Sequence, residues 1–522
     1  MLHSLYLKKS HKDTKQFKIK HILIIFAASM KKLLLAILML LQVHLASSRT
    51  GDWTLDWNAS ARMAGSTGYY MPFWARTGED GILPVRSSGL LVAGADVSYR
   101  HPNGLYFQAG TNLAGVLALK SPLDHAPAYG MVDRLYVSGG WKMLHLDVGM
   151  KPRERELSDL TVSGGNFIYS RNARNMPGIN AWSDWIYFEK GHWFGIKGNI
   201  AHYQYIDNRY VKGAYVHNKS LAMKGSLGRR VDLSIGFDHW AQWGGNSPKY
   251  GPQPVSFKDY IRIFLAQRGG EEATDSDRLN VLGNHLGREW VRVDWKHELF
   301  TMSFQYDKPF EDGSGMKMRN APDGIWTIQC SFNDRNAAVT DIVLEYVNTT
   351  WQSGPEHQRK ATEEEMKTQN PESPYYGWIV LGGGDNYFGN GEYRSGWTNY
   401  GRIMGLPLIM SEAPGADGIV ANTVNTRLRA FHAGLKGNIA AGLPYAFKGT
   451  FSLNYGRYKQ SQTSFFVSRP WQLSLAFDLG LKRLMERTPL DLNIGIYGDF
   501  GQVYQNSAGL TLKLSYSGFK RF

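Results

Sequence analysis

The amino-acid sequence predicts an all-β protein, a transmembrane antiparallel β-barrel of about 16 to 18 strands with or without a small plug. Three observations support this fold class. Apolar and polar residues alternate in runs of about nine to eleven residues, the length that a tilted strand needs to cross a bilayer. Glycine, with 57 residues, and the aromatic residues, with 13% of the chain, are both abundant. No apolar run after residue 48 is long enough for a membrane-spanning helix.

The alternation is typical of strands in the wall of a membrane β-barrel. Between 473 and 481 every odd residue is Leu or Phe, whereas the even residues are Ser, Ala, Asp and Gly. Similar runs occur at 231–238, 490–497 and 510–516. A soluble sandwich also alternates, but its polar face usually carries Lys and Glu. The small polar residues here, together with aromatics near run ends such as Trp141 and Phe237, favour the barrel. Phe522 follows the last run, which resembles the insertion signal of outer-membrane barrels.

The chain divides into four predicted parts. Residues 1–29 precede Met30 and are interpreted as an upstream extension from a misassigned start. Residues 30–48 combine Lys31 and Lys32 with an apolar run and small residues, and they predict a secretory signal peptide. Residues 49–90 lack alternation and predict a periplasmic or plug segment. Residues 91–522 predict the barrel, with long loops near 354–376 and 382–422, and long loops are usually functional or disordered.

Charge and motifs exclude several function classes. The net charge is +14, but residues 1–48 contribute eight Lys and one Asp, so +7 remains for the rest of the chain. No basic run or zinc spacing accompanies this charge, and no nucleic-acid partner is predicted. The single cysteine, Cys330, excludes a disulfide within the chain. Catalytic and metal-binding signatures are missing, so we predict no enzyme, no cofactor and no metal. Glu154 and Glu156 are interpreted as solvated loop residues rather than a glycosidase pair.

Three segments carry a resemblance to a known family. They read DNYFGNGEYRSGWTNYGRIMGLPL at 385–408, SRNARNMPGI at 170–179 and NTRLRAFHAGLKG at 425–437. The first is the most characteristic, and together they resemble the Wzi-type capsule assembly proteins found in Bacteroidetes. The resemblance implies a wide barrel in the bacterial outer membrane, in contact with its lipid and lipopolysaccharide. It also implies lectin-like binding of capsular polysaccharide and a role in capsule assembly or attachment.

Other functions stay open at this stage. Helical elements plug the barrel in characterised relatives, whereas the N-terminal sequence here shows no three-helix pattern. A saccharide-transporting porin with an open lumen is therefore the alternative function. The glycan and the oligomeric state are not implied.

The candidate polysaccharide site lies in the segment with the strongest resemblance. Aromatic faces pack on the C–H surfaces of pyranose rings, while carboxylate, amide and guanidinium groups bond hydroxyls or acidic substituents. The alternative is that the segment folds into the lumen and braces the barrel. The candidate residues are Asp385, Asn386, Tyr387, Tyr393, Arg394, Trp397 and Arg402.

A second aromatic cluster comprises His239, Trp240, Gln242 and Trp243 at the end of a predicted strand. Aromatic residues at strand ends commonly lie in the girdles at the two membrane interfaces. We interpret the cluster as part of such a girdle, with sugar binding as the alternative.

Overall fold

The structure is a computed structural model. It describes residues 51–119, 128–189, 191–355, 357–369, 371, 376–458, 460–482 and 489–522. The predicted extension at 1–29 and the predicted signal peptide at 30–48 lie outside the described residues.

Eighteen antiparallel strands form one closed barrel, because the first strand pairs with the last. Strand β6 is interrupted. Its two parts, Gly178–Ser183 and Ile186–Tyr187, both pair with the strand that follows them and count as one strand. The predicted fold class and strand number are confirmed. The strands are β1 Asp52–Ser66, β2 Ser88–Arg100, β3 Leu105–Ala118, β4 Ala128–Trp141, β5 Leu144–Met150, β6 as given, β7 Phe194–Gln204, β8 Tyr215–Leu227, β9 Val231–Trp243, β10 Asn284–Lys296, β11 Phe300–Phe310, β12 Gly324–Phe332, β13 Asp341–Asn348, β14 Arg427–Ala440, β15 Leu443–Gly456, β16 Trp471–Leu481, β17 Leu490–Gly501 and β18 Ser507–Arg521.

The strands turn their apolar residues outward and their polar residues inward. On β18, Leu510 is 48% exposed, whereas the neighbouring Thr511 is 3% exposed. On β9, Leu233 and Ile235 are exposed while Asp232, Ser234 and Asp238 are buried. This is the reverse of a soluble sheet, and it is the pattern of a wall that faces lipid outside and polar groups inside. A closed barrel with such a wall is of the outer-membrane type.

The two ends of the barrel differ in the length of their connections. One end has short turns, such as 142–143, 228–230 and 441–442. The other end has long connections, such as 151–177, 244–283 and 349–426. Outer-membrane barrels have short periplasmic turns and longer extracellular loops, so the second end is the extracellular end. The predicted loops at 354–376 and 382–422 both lie in the connection 349–426.

The remaining elements are short and lie in the connections. No helix in the described parts of the chain is long and apolar enough to cross a membrane. The helices are α1 Phe73–Arg76, α2 Phe257–Leu265, α3 Asp275–Leu279, α4 Gly313–Met316 and α5 Glu363–Met366, with a 3₁₀ helix at Phe465–Ser468. Four small hairpins pair Asn246–Ser247 with Gly251–Pro252, His357–Lys360 with Trp378–Gly382, Thr398–Asn399 with Arg402–Ile403, and Met410–Ser411 with Thr423–Asn425.

The structure corrects the prediction that residues 49–90 form a periplasmic or plug segment. Asp52–Ser66 is a wall strand paired along its length with β18. Its outward residues include Ala59, Ala61 and Gly65, so the hydrophobic alternation is too weak to recognise in the sequence. Only the following connection, 67–87, leaves the wall, and its Phe73 and Trp74 belong to the hydrophobic cluster inside the barrel.

Three inward segments, at 67–87, 151–177 and 383–426, meet inside the barrel. Their backbones are joined, since Asp80 N donates to Arg171 O at 2.7 Å, Leu406 N donates to Phe167 O at 2.9 Å and Ser170 N donates to Met404 O at 2.7 Å. Their apolar side chains form one cluster with inward wall residues such as Trp240 and Leu286. The centre of the lumen is therefore a hydrophobic core built by loops.

Buried ionic groups join segment 151–177 to the wall. Arg288 on β10 is buried and binds Asp238 at 2.5 Å, Asp307 at 2.8 Å and Glu156 of the inward segment. Burial opposes ionisation of Glu156, but the neighbouring cations, Arg288 foremost and then Arg292, together outweigh it and lower the Glu156 pKa to about 2. The segment's Val162 N also donates to a wall carboxylate, that of Glu345, at 2.6 Å. Removing one partner from such a buried set leaves an uncompensated charge, which is strongly destabilising.

Candidate functional site

The three candidate aromatics of segment 385–402 lie inside the barrel core. Tyr387, Tyr393 and Trp397 are all buried and belong to the luminal cluster. The Tyr387 hydroxyl donates to Asp323 at 3.2 Å, and the Tyr393 hydroxyl donates to Gly244 O at 3.2 Å. A ring without exposed surface has no face on which a sugar can stack. These three residues brace the inward segments, which was one of the two alternatives left open by the sequence.

Asp385 is also buried and serves the same segment. Its Oδ2 accepts a hydrogen bond from Ser353 Oγ at 2.7 Å. Burial, reinforced by the nearby Asp312 carboxylate, raises the pKa of Asp385 from its ordinary value of 3.8 to about 7. The partly buried Asn386 donates its backbone N–H to Glu311 Oε2 at 2.9 Å. Both residues therefore hold loops together.

The two candidate arginines retain some exposed surface but lie at different places. The Arg394 guanidinium is 5.1 Å from the centroid of the Tyr210 ring. Arg402 donates to Arg76 O at 3.0 Å and to Leu83 O, which fixes the connection 67–87 against the segment 383–426. Of the seven candidates, only Arg402 lines a cavity at the extracellular end of the barrel.

A cavity of about 520 Å³ lies among connections at the extracellular end. We call it the extracellular cavity. Its volume falls in the range of ordinary ligand sites, roughly 300–1,000 Å³. The lining mixes aromatic, charged and small residues from four connections, and it includes Tyr69, Tyr70, Phe73, Arg76, Arg402, Glu412 and Tyr504.

Aromatic residues line this cavity from two connections, 67–87 and 502–506. Tyr69 and Tyr70 are exposed, with ring centroids 4.7 Å apart at an interplanar angle of 86°. The Tyr69 N–H donates to Gln505 Oε1 at 2.8 Å, which ties the pair to the last extracellular connection. In that connection Tyr504 stacks on Phe73 at 6.0 Å. The cavity therefore offers exposed rings whose backbone is fixed, which suits apolar faces of a ring-shaped ligand.

Charged groups border these rings. The Arg76 guanidinium lies 5.6 Å from the centroid of Tyr504, and its Nε donates to Met71 O at 3.2 Å. Glu412 Oε2 accepts from Asn422 Nδ2 at 3.1 Å. Burial raises the pKa of Tyr504 to about 12, so its hydroxyl stays protonated at neutral pH. Together these groups offer donors and acceptors for hydroxyls and for acidic substituents.

A second cavity, of about 580 Å³, lies on the periplasmic side of the inward segments. Its lining is strongly charged and includes Arg62, Glu79, Lys448 and Lys513. Thr77 and Asn172 line both this cavity and the extracellular one. Among the described residues no group of His, Cys, Asp or Glu is placed to hold a metal ion.

The aromatic residues of the extracellular cavity are not among the site residues predicted from the sequence. Tyr69 and Tyr70 lie in a non-alternating segment, and Tyr504 lies in a connection between two strands far along the chain. The adjacent pair of tyrosines was the available signal. Their common location depends on closure of the barrel between β1 and β18, which brings residues 69 and 505 together.

Comparison with known proteins identifies similar folds. No protein-family model and no curated protein matches the chain. Among solved structures it is similar to Wzi of Escherichia coli, described as an outer-membrane protein involved in group 1 capsule assembly and a carbohydrate-binding β-barrel. The TM-score is 0.51 at 12% identity, covering 88% of this chain and 83% of Wzi. This likeness shows a shared fold.

Two barrels of Pseudomonas aeruginosa are also similar. The outer-membrane protein OpdK matches with a TM-score of 0.45 at 9% identity, covering 90% of this chain and 99% of OpdK. OpdL matches with a TM-score of 0.44 at 8% identity, covering 90% of this chain and 99% of OpdL.

Proposed function

We propose that this outer-membrane barrel binds capsular polysaccharide at the extracellular cavity and helps assemble or attach the capsule at the cell surface. The observation that carries the proposal is the exposed aromatic pair Tyr69 and Tyr70, which lines the same extracellular cavity as Arg76 and Glu412. Aromatic faces and charged hydrogen-bonding groups at one extracellular cavity match the two kinds of surface on a sugar chain.

The fixed geometry of the cavity strengthens this argument. Arg402 donates to two carbonyl oxygens of connection 67–87, and Tyr69 is held by Gln505. A ligand that binds between prearranged groups loses less free energy to ordering the protein. The name of the similar structure supports the same proposal, since Wzi is described as a carbohydrate-binding barrel of capsule assembly. Of the Wzi-like segments of the sequence, 170–179 and 385–408 contribute to the core that positions this cavity, whereas 425–437 lies mostly in β14.

The test is capsule retention by cells that carry a Tyr69→Ala, Tyr70→Ala variant in place of the natural protein. Both rings are exposed, so the barrel is expected to fold and to retain heat-modifiable gel migration. Truncating a stacking aromatic costs on the order of 1–4 kcal/mol of binding energy. Cells with normal barrel abundance are therefore expected to release capsule into the medium. A Trp378→Ala variant, altered at an exposed aromatic outside the cavity, is the matched control. Full capsule retention by the folded double variant would overturn the proposal.

The second candidate function is a saccharide-transporting porin. One observation favours it, because Thr77 and Asn172 line both the extracellular cavity and the periplasmic one. Movement of connection 67–87 would join the two cavities. Conductance in planar bilayers, reduced by added oligosaccharide, would favour transport, whereas an electrically silent barrel with glycan affinity favours the binding function.

A further inference from the structure

The helix α2 lies against the outer face of the barrel rather than inside it. On β8, Leu221 and Met223 are exposed, whereas Ala222 between them lines an internal cavity. Odd residues of β8 therefore face outward, and this parity includes His217 and Lys219 because the pairing with β7 and β9 has no register shift. The helix contacts these outward residues.

Specific contacts hold α2 in this position. Lys219 Nζ donates to the carbonyl oxygen of Phe264, and the Phe264 ring is 5.2 Å from His217. Tyr260 donates its hydroxyl to, or accepts from, His217 Nδ1 at 3.3 Å. Ile263 is buried with the outward Trp243 in a cluster separate from the luminal one. The sequence cluster at 239–243 is thus divided, with Trp243 beneath this helix and Trp240 in the luminal core.

The helix is well formed and presents an apolar stripe away from the barrel. Ser256 caps its first turn together with Asp259, and the left-handed Ala266 ends it. Phe257 is 79% exposed, Ile261 is 39% exposed and Leu265 is 53% exposed. These three positions are spaced by four residues and lie on one face of a helix. An exposed apolar stripe of this kind on an amphipathic helix marks a membrane or protein interface.

The stripe begins where the lipid-facing belt of the wall ends. On the outer face of β8, the apolar Leu221 is followed toward the extracellular end by Lys219, about 7 Å further along the strand. On β9 the same change occurs between Phe237 and His239. Lys219 holds the last turn of α2, so the Leu265 end of the helix is directly above the belt. The only acidic residue of the helix, Asp259, is buried and paired with Arg262, while Lys258 is exposed.

We propose that α2 is an interfacial helix that lies in the outer leaflet boundary of the outer membrane, with Phe257, Ile261 and Leu265 in contact with lipid acyl chains. The occupant of this face is lipid, because the stripe continues the lipid-facing belt of a barrel whose place is the outer membrane. The exposed Lys258 suits the anionic headgroups at that depth. Through this contact the connection 244–283 would be anchored to the membrane rather than extended into solvent. The inference does not depend on polysaccharide binding.

The experiment places a polarity-sensitive fluorophore on the helix. Ile261→Cys is made together with Cys330→Ser, which removes the single natural cysteine. The labelled protein is reconstituted in vesicles of phosphatidylethanolamine and phosphatidylglycerol, with or without phosphatidylcholine that carries a spin label on its acyl chain. The fluorophore is expected to show blue-shifted emission, and the spin-labelled lipid is expected to quench most of its fluorescence. Leu265→Cys, at the end nearest the belt, is expected to behave in the same way.

Two controls bracket the result. On β12, Thr327 is buried and Ile328 is exposed. The natural Cys330 lies two residues after Ile328 and therefore faces lipid, so its label gives the response of the belt. Glu271→Cys, in the same background and connection but on an exposed polar residue, gives the response of solvent. Emission at 261 and 265 that matches position 271, in barrels with normal heat-modifiable migration, would overturn the proposal.

Discussion

Replacing Trp397 by Ala separates the bracing role from a binding role. The Trp397 side chain is 0% exposed and sits in the luminal cluster, and its Nε1–H has no hydrogen-bond partner among the described residues. Its contribution therefore comes from packing of the ring. Removing a buried aromatic in this setting costs about 3–5 kcal/mol, because both transfer energy and a cavity are involved.

The assay compares unfolding of the natural barrel and the variant in detergent, by the temperature at which heat-modifiable migration is lost. Trp397→Ala is expected to unfold at a clearly lower temperature. The exposed Trp378→Ala is expected to unfold like the natural protein, since surface changes usually cost little. Polysaccharide affinity per folded molecule is expected to be unchanged in both. Unchanged stability together with lost polysaccharide affinity in Trp397→Ala would refute the reasoning and return this residue to the site.

Two further predictions concern buried charge. Arg288→Met is expected to destabilise the barrel by about 3–5 kcal/mol, since it removes the cation that binds the carboxylates of Asp238, Asp307 and Glu156. Breaking an exposed pair, as in Arg278→Met beside Asp275, is expected to change stability little. Equal unfolding midpoints of the two variants in urea would contradict this. Because the folded pKa of Asp385 is raised from 3.8 to about 7, the folded state holds a proton that the unfolded chain has lost, and stability is expected to fall as the pH rises between these values. Asp385→Asn should flatten that pH dependence, and an unaltered profile would show that another group is responsible.

The alternation of the sequence was sufficient to predict the wall, since each strand meets lipid on one side and polar groups on the other. It failed for β1, where small residues such as Ala59 and Ala61 occupy outward positions. The contacts that fill the lumen could not be predicted, because they join distant positions. Val162 binds Glu345, and Arg402 binds the carbonyl of Leu83. No local pattern specifies such pairs.

The exposure of the candidate site residues could not be predicted for the same reason. The segment 385–402 has the composition of a sugar site, but composition does not show whether a ring is exposed. Arg402 lines the extracellular cavity, whereas Trp397 and Tyr387 lie in the core. Tyr70 became a candidate only when barrel closure and the connection 67–87 were visible.

The most direct measurement of the central claim is equilibrium binding of the organism's own capsular polysaccharide to purified barrel in detergent. The natural protein is compared with Tyr69→Ala, Tyr70→Ala and with Trp378→Ala, each shown to be folded by heat-modifiable migration. If polysaccharide binds at the extracellular cavity, the natural protein and Trp378→Ala are expected to bind it saturably. The affinity of the double variant is expected to be at least about tenfold lower, which corresponds to about 1.4 kcal/mol. Equal affinity in all three proteins, or no binding by the natural barrel, would contradict it.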